Sequence, residues 1–191
     1  DNNIYYFNSG NIIALDGKSD ALSVLNIEFT AAQRSIIGLK QYNNRYYFAD
    51  AANGQIFRFT KNGGKLTNPA AWLNGREDLS SAAGMDIDGS VYVLNKNGTI
   101  FKYAKGAKEE FSLSEIEPAI SQASKLIVSP EQIYILEPAA KRLIVFEKSG
   151  KFIGQYTSEK FTDLKDFTLD EKNKKIYVLN GAAVYSFGIT N

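Results

Sequence analysis

The sequence contains no cysteine and no histidine. These absences remove disulfides, thiol nucleophiles, zinc sites built on Cys and His, and any histidine general base. A dominant sign of charge is also missing: Lys and Arg number 22 against 21 Asp and Glu, for a net charge of +1. Nucleic-acid binding rests on clustered cations that neutralise several phosphates, so this balance argues against a nucleic-acid partner. The densest cationic run, Lys172 to Lys175, directly follows Asp170 and Glu171. No stretch approaches the roughly 18 apolar residues of a membrane span. No signal peptide is visible and the first residue is Asp1, which predicts a mature form or an excised domain. Any membrane attachment is then expected through an upstream anchor outside this chain. A chain without cysteine fits either side of a membrane.

Apolar residues make up 44% of the chain, enough for one substantial core. They are arranged as a repeat. The segment Ile4-Tyr5-Tyr6-Phe7-Asn8 returns as Tyr46-Tyr47-Phe48-Ala49-Asp50, Val91-Tyr92-Val93-Leu94-Asn95, Ile133-Tyr134-Ile135-Leu136-Glu137 and Ile176-Tyr177-Val178-Leu179-Asn180. The shared tyrosines, at 5, 47, 92, 134 and 177, are separated by 42, 45, 42 and 43 residues. Several short strands within a period of about 40–50 residues indicate a propeller blade.

Each copy leads into a turn and a second strand. The turns are Asn8-Ser9-Gly10-Asn11, Ala52-Asn53-Gly54-Gln55, Lys96-Asn97-Gly98-Thr99, Pro138-Ala139-Ala140-Lys141 and Asn180-Gly181-Ala182. Asn-Gly supplies the positive φ that tight hairpins need. The second strands begin at Ile12, Ile56, Ile100, Leu143 and Val184, with polar Arg58, Lys102 and Ser186 in one register. Inner strands are predicted at 36–39, 85–88, 126–129 and 167–170, and outer strands at Leu22 to Phe29, Lys65 to Asn68, Phe111 to Leu113 and Lys151 to Tyr156. An antiparallel sandwich or barrel does not need one motif at a near-constant period. The predicted fold is therefore an all-β β-propeller of five blades, each of three to four antiparallel strands, with part of a six-bladed ring as the alternative. One domain spans 1–191, with repeats at 1–33, 34–81, 82–123, 124–162 and 163–191. The first repeat lacks an inner strand and the last lacks an outer one.

The fourth repeat carries a resemblance. Ile133-Tyr134-Ile135-Leu136-Glu137, Lys141-Arg142-Leu143-Ile144-Val145-Phe146 and Ser149-Gly150-Lys151-Phe152 resemble the NHL repeat, which runs Tyr-Val-x-Asp, a short turn, Arg-Ile-x-x-Phe, then Gly-x-Phe. Glu137 stands where the family has Asp, which only Asp50 keeps. Arg142 is matched elsewhere by Asn11, Gln55, Thr99 and Ala183. The whole chain also resembles the C-terminal propellers of uncharacterised bacterial membrane-anchored proteins, some with a PP2C-like phosphatase domain upstream. Gly75-Arg76-Glu77-Asp78-Leu79-Ser80 and Phe161-Thr162-Asp163-Leu164-Lys165-Asp166 carry that resemblance. It implies an extracytoplasmic or cell-surface sensing domain.

Candidate sites lie where the repeats differ. Trp72, the one tryptophan, sits in the long connection Asn68 to Asp78 beside Arg76 and Glu77. Loops on a rigid scaffold carry function, and an exposed Trp beside Arg can stack on a sugar or anchor a peptide. Burial between blades is the competing expectation for a large aromatic. Phe111 and Phe161 occupy corresponding connections. The ring of Asn8, Asp50, Asn95, Glu137 and Asn180 offers oxygens to a hard cation such as Ca²⁺, but five positions spread around a ring are too far apart for one ion, and turn capping explains them. Asp86 and Asp88 share a strand face at a spacing that glycosidase chemistry permits, yet Asp88 opens the turn Asp-Gly-Ser. Lys141-Arg142 is expected as solvated surface at a hairpin tip. No catalytic residue and no metal site is assigned. The expected function is non-enzymatic recognition of a protein, peptide or glycan. The alternative is a propeller hydrolase or lactonase using carboxylates with a divalent cation.

Overall fold

The computed structural model describes residues 3–8, 11–27 and 35–189. These form strands and connections, with no helix among them and none long and apolar enough to cross a membrane. The chain divides into two compact units, Asp1–Ser80 and Ser81–Asn191. The division falls at the end of the second sequence repeat.

Unit one holds two antiparallel meanders. The first comprises β1 (Asn3–Asn8), β2 (Asn11–Asp16) and β3 (Leu22–Ile27). The second comprises β4 (Ile36–Tyr42), β5 (Arg45–Asp50), β6 (Gln55–Asn62) and β7 (Lys65–Ala71). The hairpin turn at Asn43 and Asn44 places both residues at positive φ, as a two-residue loop requires. The two meanders are not separate sheets. Their outer strands pair in parallel, Asn26 opposite Lys65 and Ile27 opposite Leu66, giving one seven-stranded sheet. Buried Ile12 and Leu25 of the first meander share a core with Tyr46, Phe48, Phe59 and Leu66 of the second. Residues 9 and 10 of the first predicted turn, and residues 28 and 29 of the first predicted outer strand, lie outside the described residues.

Unit two holds three meanders. The first is β8 (Ala82–Ile87), β9 (Val91–Asn95), β10 (Ile100–Ala104) and β11 (Ala107–Glu109). The second is β12 (Lys125–Val128), β13 (Gln132–Glu137), β14 (Arg142–Glu147) and β15 (Phe152–Thr157). The third is β16 (Leu164–Asp170), β17 (Lys175–Asn180) and β18 (Ala183–Gly188). Three of the strands that carry the repeated motif are buried on both faces: every residue of β9 is buried, as is every residue of β5 after Arg45 and of β13 after Gln132, whereas β17 alternates. That double burial explains why the motif is a near-continuous apolar run rather than an alternating one. Two cores fill the spaces between these sheets, one around Leu94, Leu126, Ile135 and Phe146, the other around Leu136, Val145, Phe167 and Ile176.

Five repeats thus give five meanders, which hydrogen-bond as four sheets. Where five separate blades are expected, the parallel junction β3·β7 merges the first two. One strand is also displaced from its expected place. Phe111–Leu113 is not the outer strand of the third repeat. The chain turns back earlier, at Lys105 and Gly106, both at positive φ, and β11 pairs with β10 at Ala107–Glu109.

Leu66 is fully buried at the junction of the two unit-one meanders. Leu66→Ala is expected to cost about 2–4 kcal/mol, the usual range for a core leucine. The check is a lowered denaturation midpoint accompanied by faster amide exchange in β3 and β7.

Candidate functional site

In the second to fifth repeats the residue that ends the motif strand is buried and polar. Asp50, Asn95, Glu137 and Asn180 are at most 7% exposed. Their partners share a logic. Each accepts a hydrogen bond from the connection that is about to enter its own meander. Ser35 N–H donates to Asp50 Oδ1 (3.1 Å), and the Ser81 hydroxyl donates to Asn95 Oδ1 (2.9 Å). Asp163 N–H donates to Asn180 Oδ1 (2.8 Å), while Asn180 Nδ2 donates to the Lys160 carbonyl (2.9 Å). Turn capping, the sequence expectation, also occurs: Ala52 N–H donates to Asp50 Oδ1 and Asn95 Nδ2 to the Thr99 hydroxyl. The side chain of Asn8 lies outside the described residues.

In the fourth repeat this position becomes an ion pair. Glu137 Oε1 accepts from the backbone N–H of Ser121 (2.8 Å) and Gln122 (3.0 Å), and Oε2 accepts from Arg142 Nε (2.8 Å). Arg142 Nη2 also donates to the carbonyls of Pro118 (2.8 Å) and Ala119 (3.2 Å), and Nη1 to Gln155 Oε1 (3.2 Å). Arg142 is 2% exposed, so it is not the solvated tip its sequence context suggests. A buried guanidinium needs a partner for each donor, and two carbonyls of the incoming connection supply them. Lys141 keeps the expected turn, at positive φ, and is exposed.

These contacts hold the connection 110–124, which has no regular strand, over a cavity of about 560 Å³. Two further pins fix it. Ser114 N–H donates to the Gly150 carbonyl (2.8 Å) and Phe152 N–H to the Ser114 hydroxyl (2.8 Å). A side chain at Gly150 would lie 2.1 Å from the Ser112 carbonyl oxygen, and φ is +92° there, so only glycine fits. The cavity's apolar lining includes Phe101, Phe111, Ile116, Ile120 and Phe146, with Lys108, Glu109 and Glu117 among its polar residues. Phe111 is half-buried, its ring edge-on to Tyr92 at 6.0 Å.

Trp72, Arg76 and Glu77 lie together on one loop of unit one. The loop is held by buried Gln55, which accepts from Leu73 N–H (2.8 Å) and donates to the carbonyls of Leu73 (3.4 Å) and Gly75 (3.2 Å). Glu77 N–H donates to the Gly54 carbonyl (2.9 Å). Trp72 is half-buried, edge-on to Tyr47 at 5.9 Å; Arg76 is exposed. Phe161 is 6% exposed and packs on Phe187 at 6.2 Å, at the wall of a separate cavity of about 400 Å³ in unit two. The five candidate residues therefore occupy three places: one loop and two cavities.

The carboxylates of Asp86, in β8, and Asp88, in the turn after it, have structural partners. Asp86 Oδ2 accepts from Val128 N–H (2.8 Å) of the neighbouring inner strand, and Asp88 pairs with Lys148. Among the described residues, no three Asp or Glu side chains gather as a metal ion would need.

Sequence reasoning missed the Glu137–Arg142 pair. The signal was present: both positions depart from the other repeats, and they do so in the same repeat.

Residues 115–191, less than half of the chain, match the model of a family described as a 6-bladed beta-propeller, DUF5128. No curated protein matches in sequence. Solved structures do match in fold. The computationally designed Ika8 protein is 16% identical over 97% of this chain, with a TM-score of 0.60. This chain spans only 57% of that protein. A chain of a nidogen/laminin complex is 14% identical, with 98% of this chain and 74% of that one covered and a TM-score of 0.74. Glutaminyl cyclase of Myxococcus xanthus is 12% identical, with coverages of 97% and 90% and a TM-score of 0.59. At such identities the likeness shows the fold alone, which is an all-β propeller.

Burial pushes the Glu137 carboxyl up, but the N–H groups of Ser121 and Gln122 and the Arg142 guanidinium outweigh it, so its pKa lies below the ordinary 4.5. The folded chain thus takes up this proton at lower pH than the unfolded chain. The clamp's stabilisation is full above the unfolded value and is lost as pH falls through the folded one. Urea midpoints are expected to drop between about pH 6 and pH 3, with part of that drop absent in Glu137→Gln. At neutral pH, Glu137→Gln strands a buried cation and is expected to cost about 3–5 kcal/mol. The double variant Glu137→Gln/Arg142→Gln, with no buried charge, is expected to regain part of that loss in the same urea titrations.

Proposed function

We propose that this propeller is a non-enzymatic recognition domain and that its principal pocket is the cavity beneath the connection 110–124. The observation that supports this is the way an irregular segment is held in place. A buried ion pair, a glycine and backbone hydrogen bonds hold it against a cavity lined by both apolar and charged residues. Ordering a loop before binding removes an entropic cost from the binding step. Aromatic and aliphatic side chains with a few charged groups suit a protein or peptide segment; a glycan stacking on Phe111 is the other ligand that the chemistry accommodates. The loop of Trp72, Arg76 and Glu77 is proposed as a second contact surface in unit one. Resemblance to propellers of membrane-anchored proteins supports an extracytoplasmic or cell-surface setting.

The test is selection of peptide and glycan ligands on the full chain, then titration of the best ligand against variants. Phe111→Ala is expected to weaken binding at least about tenfold, or about 1.4 kcal/mol. Trp72→Ala/Arg76→Ala reports on the second surface separately. A ligand whose affinity is unchanged in both variants would refute the assignment.

A further inference from the structure

The larger cavity of unit two is lined by the meander β8–β11, by the connection that follows it, and by Phe146 of the next meander. Both of these meanders carry four strands, so no strand of the repeat is missing beside the cavity. Its charge is one-sided. The lining holds one lysine, Lys108, and four glutamates, Glu109, Glu110, Glu115 and Glu117. No Lys or Arg occurs from 109 to 124, in a chain whose net charge is +1, so the excess is local. Lys102 neutralises Glu109 at 2.8 Å, and Lys108 lies over the Phe101 ring at 3.9 Å. Glu110, Glu115 and Glu117 are exposed and make no ion pair among the described residues. A cleft lined by one sign of charge concentrates the opposite sign.

Two further properties narrow the occupant. Phe111, Leu113, Ile116 and Ile120 alternate with the polar residues of the connection and are half-buried against the core. An occupant must therefore offer apolar surface as well as cations. The main chain is the other property. From 111 to 117, among the described residues, Ser114 alone donates a main-chain hydrogen bond, to the Gly150 carbonyl, and no carbonyl of that stretch accepts one. A free amine would use a carboxylate and leave the rest. An extended peptide carries cations, apolar side chains and main-chain donors and acceptors together.

We propose that this cavity takes an extended basic segment of a protein partner, with at least two Lys or Arg flanking an aromatic or aliphatic residue. The inference rests on the reading of the cavity as the principal pocket and specifies what fills it. The cations meet Glu110, Glu115 and Glu117, the apolar side chain packs on Phe111 and Ile116, and the main chain pairs with the open groups of 111–117. Charge complementarity supplies selectivity against neutral and acidic segments.

The probe is a library of capped heptapeptides, randomised at every position and selected on the full chain at physiological ionic strength. The selected pool is expected to be enriched in Lys and Arg about threefold or more over the starting library. The best peptide is expected to lose about tenfold or more in affinity to Glu110→Gln/Glu115→Gln/Glu117→Gln. These three side chains are exposed, so the thermal midpoint of that variant is expected to stay unchanged. Phe111→Ala tests the pocket itself. If Phe111→Ala weakens binding but the pool shows no preference for Lys and Arg, the pocket stands and the basic occupant is overturned. Full affinity in Phe111→Ala removes the pocket and this proposal with it. Arginine amide and spermidine supply cations without a segment, and either one binding as tightly as the best peptide would refute a peptide occupant. Selection of no peptide, tighter binding of a neutral glycan, or protection of 110–117 from amide exchange by protein concentration alone, as the chain dimerises, would each overturn it as well.

Discussion

A connection that crosses the end of a sheet carries backbone N–H groups with no ladder partner, and burying them unsatisfied is costly. The second, fourth and fifth repeats meet that constraint with one buried acceptor at the end of the motif strand, and the third places Asn95 there, accepting from the Ser81 hydroxyl. Where the motif strand is packed on both faces, as in β5, β9 and β13, the acceptor is fixed by the core, and the connection is fixed by the acceptor. The path from core packing to loop position therefore runs through a single side chain in each of these four repeats.

The chemistry of that side chain decides how much loop it governs. Asp50 accepts from Ser35 and Asn95 from Ser81, while Asn180 accepts from Asp163 and donates to the Lys160 carbonyl. Glu137 is one methylene longer, and its second oxygen is taken by Arg142, whose remaining donors reach two further carbonyls. The pair together organises the segment from Pro118 to Gln122. A lone carboxylate could not do this, because it has no donors for carbonyls. A lone arginine would be a buried charge without a partner. The irregular segment over the larger cavity is thus a consequence of two substitutions that only work together.

Much of the fold was legible because it is locally determined. Period, motif strands and Asn-Gly turns depend on residues close in sequence, and the structure places a strand over each copy of the motif. The outer strand of the third repeat was missed because Lys105-Gly106 is a weaker turn signal than Asn-Gly. Long-range facts were not legible. Nothing within β3 or β7 announces their parallel pairing, and nothing near Lys141-Arg142 announces that Pro118 and Ala119 will fold over the arginine. Of the candidate site residues, Phe111 lines the larger cavity, whereas Phe161 is mostly core. An aromatic in a connection carries no local mark that separates those outcomes, because both depend on what the other meanders leave uncovered.

The parallel junction in unit one has a mechanical consequence. Within each meander, long antiparallel registers tie neighbouring strands together, six residue pairs between β5 and β6 alone. Between β3 and β7 the register holds only two pairs. Tension transmitted along the chain would therefore find its weakest seam there. The first meander would detach as an intact flap, with Ile12 and Leu25 drawn out of the shared core, before either meander began to unravel.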